Sequence, residues 1–161
     1  MKKNLEKYFA DYIQKGYLKK ENIGLDQIKS LIQSAEKDLH DAKVLLEARK
    51  ILDISEERYY TAAYTSMLKL ARAVLFLNEL RPSDGQQHRT TIEVAGLILG
   101  DEFSKLILDF DKMRKKRNEF TYEPKYPISE AEAKKAVDSA GEFFRKVKKY
   151  ISEIDPQLKL F

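Results

Sequence analysis

The chain has 161 residues, no cysteine, two histidines, and a formal charge of +4 from 30 basic and 26 acidic side chains. The lack of cysteine excludes disulfides, thiolate metal sites, iron–sulfur clusters and cysteine nucleophiles together, and so mild a charge excess excludes a protein that coats nucleic acid over its whole surface. With 43% hydrophobic and 35% charged residues, six glycines and four prolines, the chain is neither disordered nor collagen-like, is too poor in turn residues for an all-β fold, and is long enough for one domain with a substantial core.

The basic start, Met1-Lys2-Lys3-Asn4-Leu5-Glu6-Lys7, is not followed by the apolar run of a signal peptide, because Asp11 and Lys15 interrupt it. No window has the length and apolarity of a membrane span, so a cytoplasmic protein is expected. Apolar residues instead recur at helical spacing almost throughout. Leu5, Tyr8, Phe9, Tyr12 and Ile13 make one stripe of a short first helix, and Gly16 and Gly24 bracket a connection. Asp26 is placed to cap a second helix, whose stripe runs from Ile28 through Ile32, Ala35, Leu39 and Ala42 to Leu46 and ends near Ala48. Ser55, followed by Glu56 and Glu57, starts the third, with acids at the positive end of the helix dipole. This third helix carries Tyr60, Ala63, Tyr64, Met67, Leu70, Ala71, Val74 and Leu77. It is the most apolar helix, and is expected either at the centre of the fold or against a second copy of itself.

Arg81-Pro82-Ser83-Asp84-Gly85 reads as a loop. A short helix follows His88 and stops at Gly100, and another begins near Asp101 with Phe103, Leu106, Ile107, Phe110 and Met113 facing inward. It should fail before Pro124, which disfavours helix at Glu123. Ser129 and Glu132 spell a capping box for a last helix running through Ala136, Ala140, Phe144, Val147 and Ile151 to Pro156. No segment has the period of a strand. The pattern predicts an all-α antiparallel helical bundle, with a four-helix up-and-down core plus short extra helices. Residues 1–25 form an N-terminal helical extension, 26–155 the bundle and 156–161 a C-terminal tail.

The residues able to carry chemistry concentrate between Met113 and Pro124. Arg114, Lys115, Lys116 and Arg117 form a basic run, followed by Asn118 and Tyr122. Arg114 and Arg117 are three apart and share a helix face. Tyr122 is five beyond Arg117, and the approaching Pro124 is expected to end the helix early enough for Tyr122 to fold back toward it. Arg114, Lys115, Arg117, Asn118 and Tyr122 can then bind a phosphate or nucleotide, through guanidinium forks, an amide, and a hydroxyl or stacking face. Without a ligand, the same residues are a solvated basic helix end whose Tyr packs on the bundle. His88 offers an imidazole for acid–base work, or else a surface cap. His40, between Asp38 and Asp41, is a surface residue. The two histidines lack metal-ligand spacing, so no metal or cofactor is expected. Arg145, Lys146, Lys148 and Lys149 can track a phosphate backbone or form a plain solvated face. The aromatic run Arg58–Tyr64 suits a core or a dimer seam better than base stacking.

Two segments resemble the HEPN family. Tyr59-Tyr60-Thr61-Ala62-Ala63-Tyr64, continuing to Ala71-Arg72-Ala73-Val74-Leu75, is similar to the family's Tyr/Ala-rich helix. Arg117-Asn118 with Tyr122 is placed like its Arg–x(4–6)–His motif, in which Asn often follows the Arg. His88, after a polar loop and before a short helix, also matches small prokaryotic members. The resemblance covers roughly Asp26 to Ile154. It implies an all-α homodimer. In active members, Arg and His from both subunits line a cleft and cleave RNA without metal. Many small members pair with a nucleotidyltransferase as toxin–antitoxin systems, and others are non-catalytic binding modules.

The motif's His position is Tyr122 here, and no His follows His88. Metal-independent RNA cleavage needs one group to take the 2′-OH proton and one to protonate the leaving oxygen. A Tyr with pKa about 10 is only about 0.1% ionised at neutral pH, a poor base though a good donor. The expected function is therefore a HEPN-type nucleic-acid- or nucleotide-binding homodimer, working with a nucleotidyltransferase partner in a toxin–antitoxin or defence system. One alternative is a metal-independent endoribonuclease using Arg117 with Tyr122 or His88. Another is a non-catalytic helical adaptor.

Overall fold

The computed structural model describes residues 2–123, 125 and 127–158, the side chains of 2 and 3 excepted. Helices α1 (Lys2–Gln14), α2 (Leu25–Ala48), α3 (Glu56–Leu77), α4 (Gln87–Leu99), α5 (Ser104–Tyr122) and α6 (Glu130–Ile154) follow in chain order. The four long ones, α2, α3, α5 and α6, form the all-α bundle expected, with α1 and α4 as the short additions. Two three-residue strands, β1 (Leu18–Lys20) and β2 (Leu80–Pro82), complete the fold.

Helix α3 is the central element, packed against α2, α4, α5 and α6. Its sequence explains this position. Ala63, Ala71 and Ala73 are fully buried on α3, as are Ala35 and Ala42 on α2, and such small side chains let neighbouring helices approach closely. Met67, Leu70 and Val74 fill the space between, also with no exposed surface. Each such side chain contributes about 1.5–3 kcal/mol by leaving water. Of the two positions expected for this helix, the central one holds: most of its apolar surface is covered by the other helices of the chain. The Ser66 hydroxyl donates to the Ala35 carbonyl at 2.7 Å. Lys69 Nζ meets Asp38 Oδ2 at 2.6 Å and Ser34 Oγ at 2.8 Å, so the α2–α3 contact is also pinned by polar bonds.

Several helix ends follow the sequence signals. Ser129 accepts from the Glu132 amide, and Glu132 Oε2 accepts from the Ser129 amide at 2.9 Å, completing the capping box of α6. Ser55 is the N-cap residue of α3. Helix α2, however, starts one residue before Asp26. The cap is Gly24, whose carbonyl accepts from the Gln27 and Ile28 amides. Asp26 lies in the first turn and acts through the dipole instead of as a cap. Gly100, at φ +84, ends α4 in a conformation that favours glycine.

The connection between Gly16 and Gly24 is not plain loop. Strand β1 pairs antiparallel with β2, Leu18 opposite Pro82 and Lys20 opposite Leu80. Leu18 and Leu80 are buried. Three residues are too few to display a period of two, so this ribbon had no signature in the sequence. It ties the segment ahead of α2 to the chain just before α4, and thereby steadies the loop from which α4 starts.

Candidate functional site

The start of α4 and the end of α5 enclose a cleft of about 580 Å3. Close packing sets the two helices against each other: a Cβ on Gly96 of α4 would lie 3.1 Å from Ile107 Cγ2 of α5. At 100° per residue, Arg114, Arg117, Asn118 and Tyr122 fall within an arc of about 140° on α5, and all four line the cleft. His88 and its neighbours Gln87 and Arg89 line it from the first turn of α4. Gln86, the N-cap of α4, makes no side-chain cap bond, so the free amides of that turn add positive potential to the same end.

Helix α5 continues through Tyr122 and closes with the Glu123 amide donating to the Glu119 carbonyl at 2.7 Å. The expected fold-back of Tyr122 toward Arg117 does not occur. The restraint of Pro124 acts on its immediate predecessor, Glu123, and leaves Tyr122 helical. Tyr122 reaches the cleft from its position four residues after Asn118, and lies at the rim with 79% of its surface exposed.

His88 belongs to α4, which begins at Gln87 rather than after it. It is not a surface cap. Its Nδ1 is 3.0 Å from the Tyr64 hydroxyl of α3. Tyr64 is 1% exposed, stacks edge-on against Phe110 at 5.6 Å, and carries the Arg117 guanidinium over its ring at 5.8 Å. Burial pushes the Tyr64 phenol up to about 12, against the opposing pull of Arg117, Arg114 and Arg72, so it keeps its proton at neutral pH. Its only hydrogen-bond partner among the described residues is His88. If Nδ1 carried the imidazole proton, the buried phenol O–H would have no acceptor, at a cost of about 1–3 kcal/mol. The phenol therefore donates to Nδ1, and the imidazole proton resides on Nε2. Burial, and then Arg72, Arg117 and Arg114, hold the His88 pKa below its ordinary value. At neutral pH His88 is an uncharged Nε2–H donor.

The cations of the cleft differ in what they already hold. Arg89 Nε bonds Glu93 at 2.8 Å. Arg114 Nε bonds Asp111 at 2.8 Å, and the same carboxylate takes Lys115 at 2.9 Å. Asp84 accepts from the Thr90 hydroxyl. Arg117, half-buried, makes no hydrogen bond or ion pair with any described residue beyond its contact with the Tyr64 ring. Lys115 is not in the cleft: it turns onto the neighbouring groove with Asp109, Lys112 and Glu119. Of the α6 cations singled out, Arg145 is exposed and the other three are engaged within the fold. Lys146 donates to the Glu102 carbonyl at 2.8 Å and sits 4.7 Å from the Phe103 ring centroid, Lys149 meets Glu153 at 3.9 Å, and Lys148 meets Glu36 at 3.9 Å. His40 is exposed on α2. Among the described residues no group of three or more His, Asp or Glu could hold a metal ion, and no helix is long and apolar enough to cross a membrane.

This arrangement sets Arg117 and Asn118, the pair that resembles the family motif, in one cleft with His88. The HEPN domain model matches residues 28–150. The chain belongs to the HEPN family. A curated relative, "Putative toxin MJ0605" of Methanocaldococcus jannaschii, is 27% identical over 135 residues, which cover 80% of this chain and 92% of the relative.

Two residues that shape this HEPN cleft are missed when the sequence is read alone. Tyr64 reads as core, which it is, but its hydroxyl serves His88 from 24 positions away, a pairing no local pattern announces. Arg72 interrupts the largely buried C-terminal half of α3 with a charge, and that interruption is a usable signal. It lies close enough to press on the His88 and Tyr64 protons.

Proposed function

We propose that this HEPN chain binds RNA or a nucleotide in the α4–α5 cleft, as a cytoplasmic homodimer and the toxin member of a toxin–antitoxin pair whose partner is a nucleotidyltransferase. Arg117 is the observation that carries the binding role. A half-buried guanidinium without a counter-ion is costly, and its fork matches a phosphate in a bidentate manner. The first turn of α4, the Nε2–H of His88 and the amide of Asn118 supply further donors around the same space. Tyr122, exposed at the rim, offers a face for a base to stack on. The toxin role draws on the family and on the name of the Methanocaldococcus jannaschii relative. The dimer and the nucleotidyltransferase partner draw on the habits of small HEPN proteins.

Binding is favoured over cleavage by the state of His88. As a general base, it would need its lone pair on Nε2, which strands the Tyr64 proton. As a general acid, it would need to be charged, which burial and three arginines oppose. The ribonuclease alternative retains one supporting observation, that His88 and Arg117 share a cleft. Cleavage of diverse RNAs by the purified protein, lost in Arg117→Ala, would establish it. An adaptor without a ligand is disfavoured because such a surface has no use for an unpaired, half-buried arginine.

The binding reading is tested by titrating the protein with an oligoribonucleotide and with UMP, following its amide and imidazole resonances. Shifts centred on Gln87, His88, Arg117 and Asn118 are expected. Shifts confined to α6 or α2 would overturn the assignment.

A further inference from the structure

A second basic pocket, of about 480 Å3, adjoins the cleft on the other side of Gln87. Lys19, Arg72, Phe76, Arg81, Ser83 and Gln87 line it, and Gln87 also lines the first cleft, so the two are continuous around the first turn of α4. Glu21 serves two of its three cations: Lys19 at 2.7 Å and Arg81 Nη1 at 3.3 Å. Arg81 lies over the Phe76 ring at 5.2 Å, and its Nε is buried without a hydrogen-bond partner among the described residues. Arg72 has no hydrogen bond or ion pair with any described residue. Burial and the nearby Arg81 both work against its charge.

Cations held out of water without a counter-charge are costly to the fold. Among the described residues two half-buried arginines lack one, Arg72 in this pocket and Arg117 in the other. Both flank the same α4 turn, each in its own pocket with Gln87 between them. Two adjoining pockets, each with one such guanidinium, suit successive phosphates of one strand.

We propose that the Arg72–Arg81 pocket binds a second backbone phosphate of an RNA strand whose first phosphate is held at Arg117. The ligand is then an oligoribonucleotide and not a free nucleotide. This rests on the reading of the α4–α5 cleft as an RNA site, and it extends that site across Gln87. Arg72 and Arg81 position the strand and touch no reacting atom.

The test measures binding of labelled decauridylate, and of UMP, by wild type, Arg72→Met and Arg117→Met at several salt concentrations. Met keeps the apolar stem of Arg72 and removes its charge. Arg72→Met should weaken decauridylate binding about tenfold. It should also flatten the plot of log affinity against log salt by about 0.7, the share of one phosphate on a single strand. UMP, held at Arg117, should lose much less affinity than decauridylate. Arg72→Lys should restore the slope but only part of the affinity, because it keeps the charge and loses the fork.

If Arg117→Met weakens both ligands while Arg72→Met changes neither the affinity nor the slope for decauridylate, the second pocket is refuted and the RNA reading stands. If Arg117→Met changes neither ligand, the RNA reading itself fails. Displacement of decauridylate by polyglutamate of equal charge, with equal sensitivity to Arg72→Met, would overturn the phosphate assignment. Should Arg72→Met lose its cooperative thermal melt, Arg81→Gln carries the same test with the same expected direction.

Discussion

Replacing Tyr64 with Phe removes one oxygen from beneath the cleft and leaves the ring that packs on Phe110 and supports Arg117. The loss is then the single bond from the phenol to His88 Nδ1, 3.0 Å long. A neutral hydrogen bond between part-buried groups is worth about 1 kcal/mol net. In a domain of this size that lowers Tm by about 2–4 °C. His88 retains access to water at the cleft, so the fuller penalty of a stranded buried acceptor does not apply. The second effect is on the proton. In the wild type, 15N spectra of the imidazole should show Nε2 protonated and Nδ1 bare. In Tyr64→Phe the proton should distribute over both nitrogens, and RNA affinity should fall by at most about twofold as the Nε2–H donor is lost part of the time. A wild-type ring protonated on Nδ1, or a Tyr64→Phe protein melting within a degree of wild type with an unchanged tautomer, would refute the reasoning.

Two further outcomes follow from the same contacts. Ser129→Ala removes the side-chain half of the α6 capping box and should cost about 1 kcal/mol, again about 2–4 °C in Tm, with RNA affinity unchanged. His88 should also make stability depend on pH. Its pKa in the folded state lies below that of the unfolded chain, about 6.5. The unfolded chain therefore takes up the proton first, and stability rises with pH across the interval between the two values. The contribution is full above about pH 6.5 and is lost as pH falls toward the folded value, with a slope of at most about 1.4 kcal/mol per pH unit. Urea melts of wild type against His88→Gln between pH 5 and 8 check this. The difference between them should shrink as pH falls, and a difference that grew on acidification would contradict it.

The bundle was legible because its helices are long and strongly periodic. The stripe of α2, the capping box of α6, and the stop at Gly100 all stand where local chemistry put them. The central place of α3 was legible too, since a helix apolar nearly all round has to be covered. What escaped was short or distant. β1 and β2 have three residues each and pair across more than fifty positions, so neither offers a period to read. The cap of α2 slipped from Asp26 to Gly24 because an extended glycine with a buried Ile23 before it turns the chain earlier. Within the site, Arg114, Arg117 and Asn118 were legible from helical spacing alone. Lys115 was not separable from them by composition, although helix geometry carries it toward Glu119 and away from the cleft. The path of Tyr122 depended on how far back a proline acts, and the answer is one residue. His88 was found as a residue but not in its role, which depends on a phenol from another helix and on three arginines converging from α3 and α5.

The central claim is that Arg117 anchors an RNA phosphate. Its most direct test is the affinity for decauridylate of wild type against Arg117→Met at fixed pH and about 0.1 M salt. An unpaired arginine bound to a phosphate should contribute about 1.5–3 kcal/mol, so the variant is expected to bind roughly ten- to hundredfold more weakly while melting no lower than the wild type. Equal affinity in the two proteins would contradict the account.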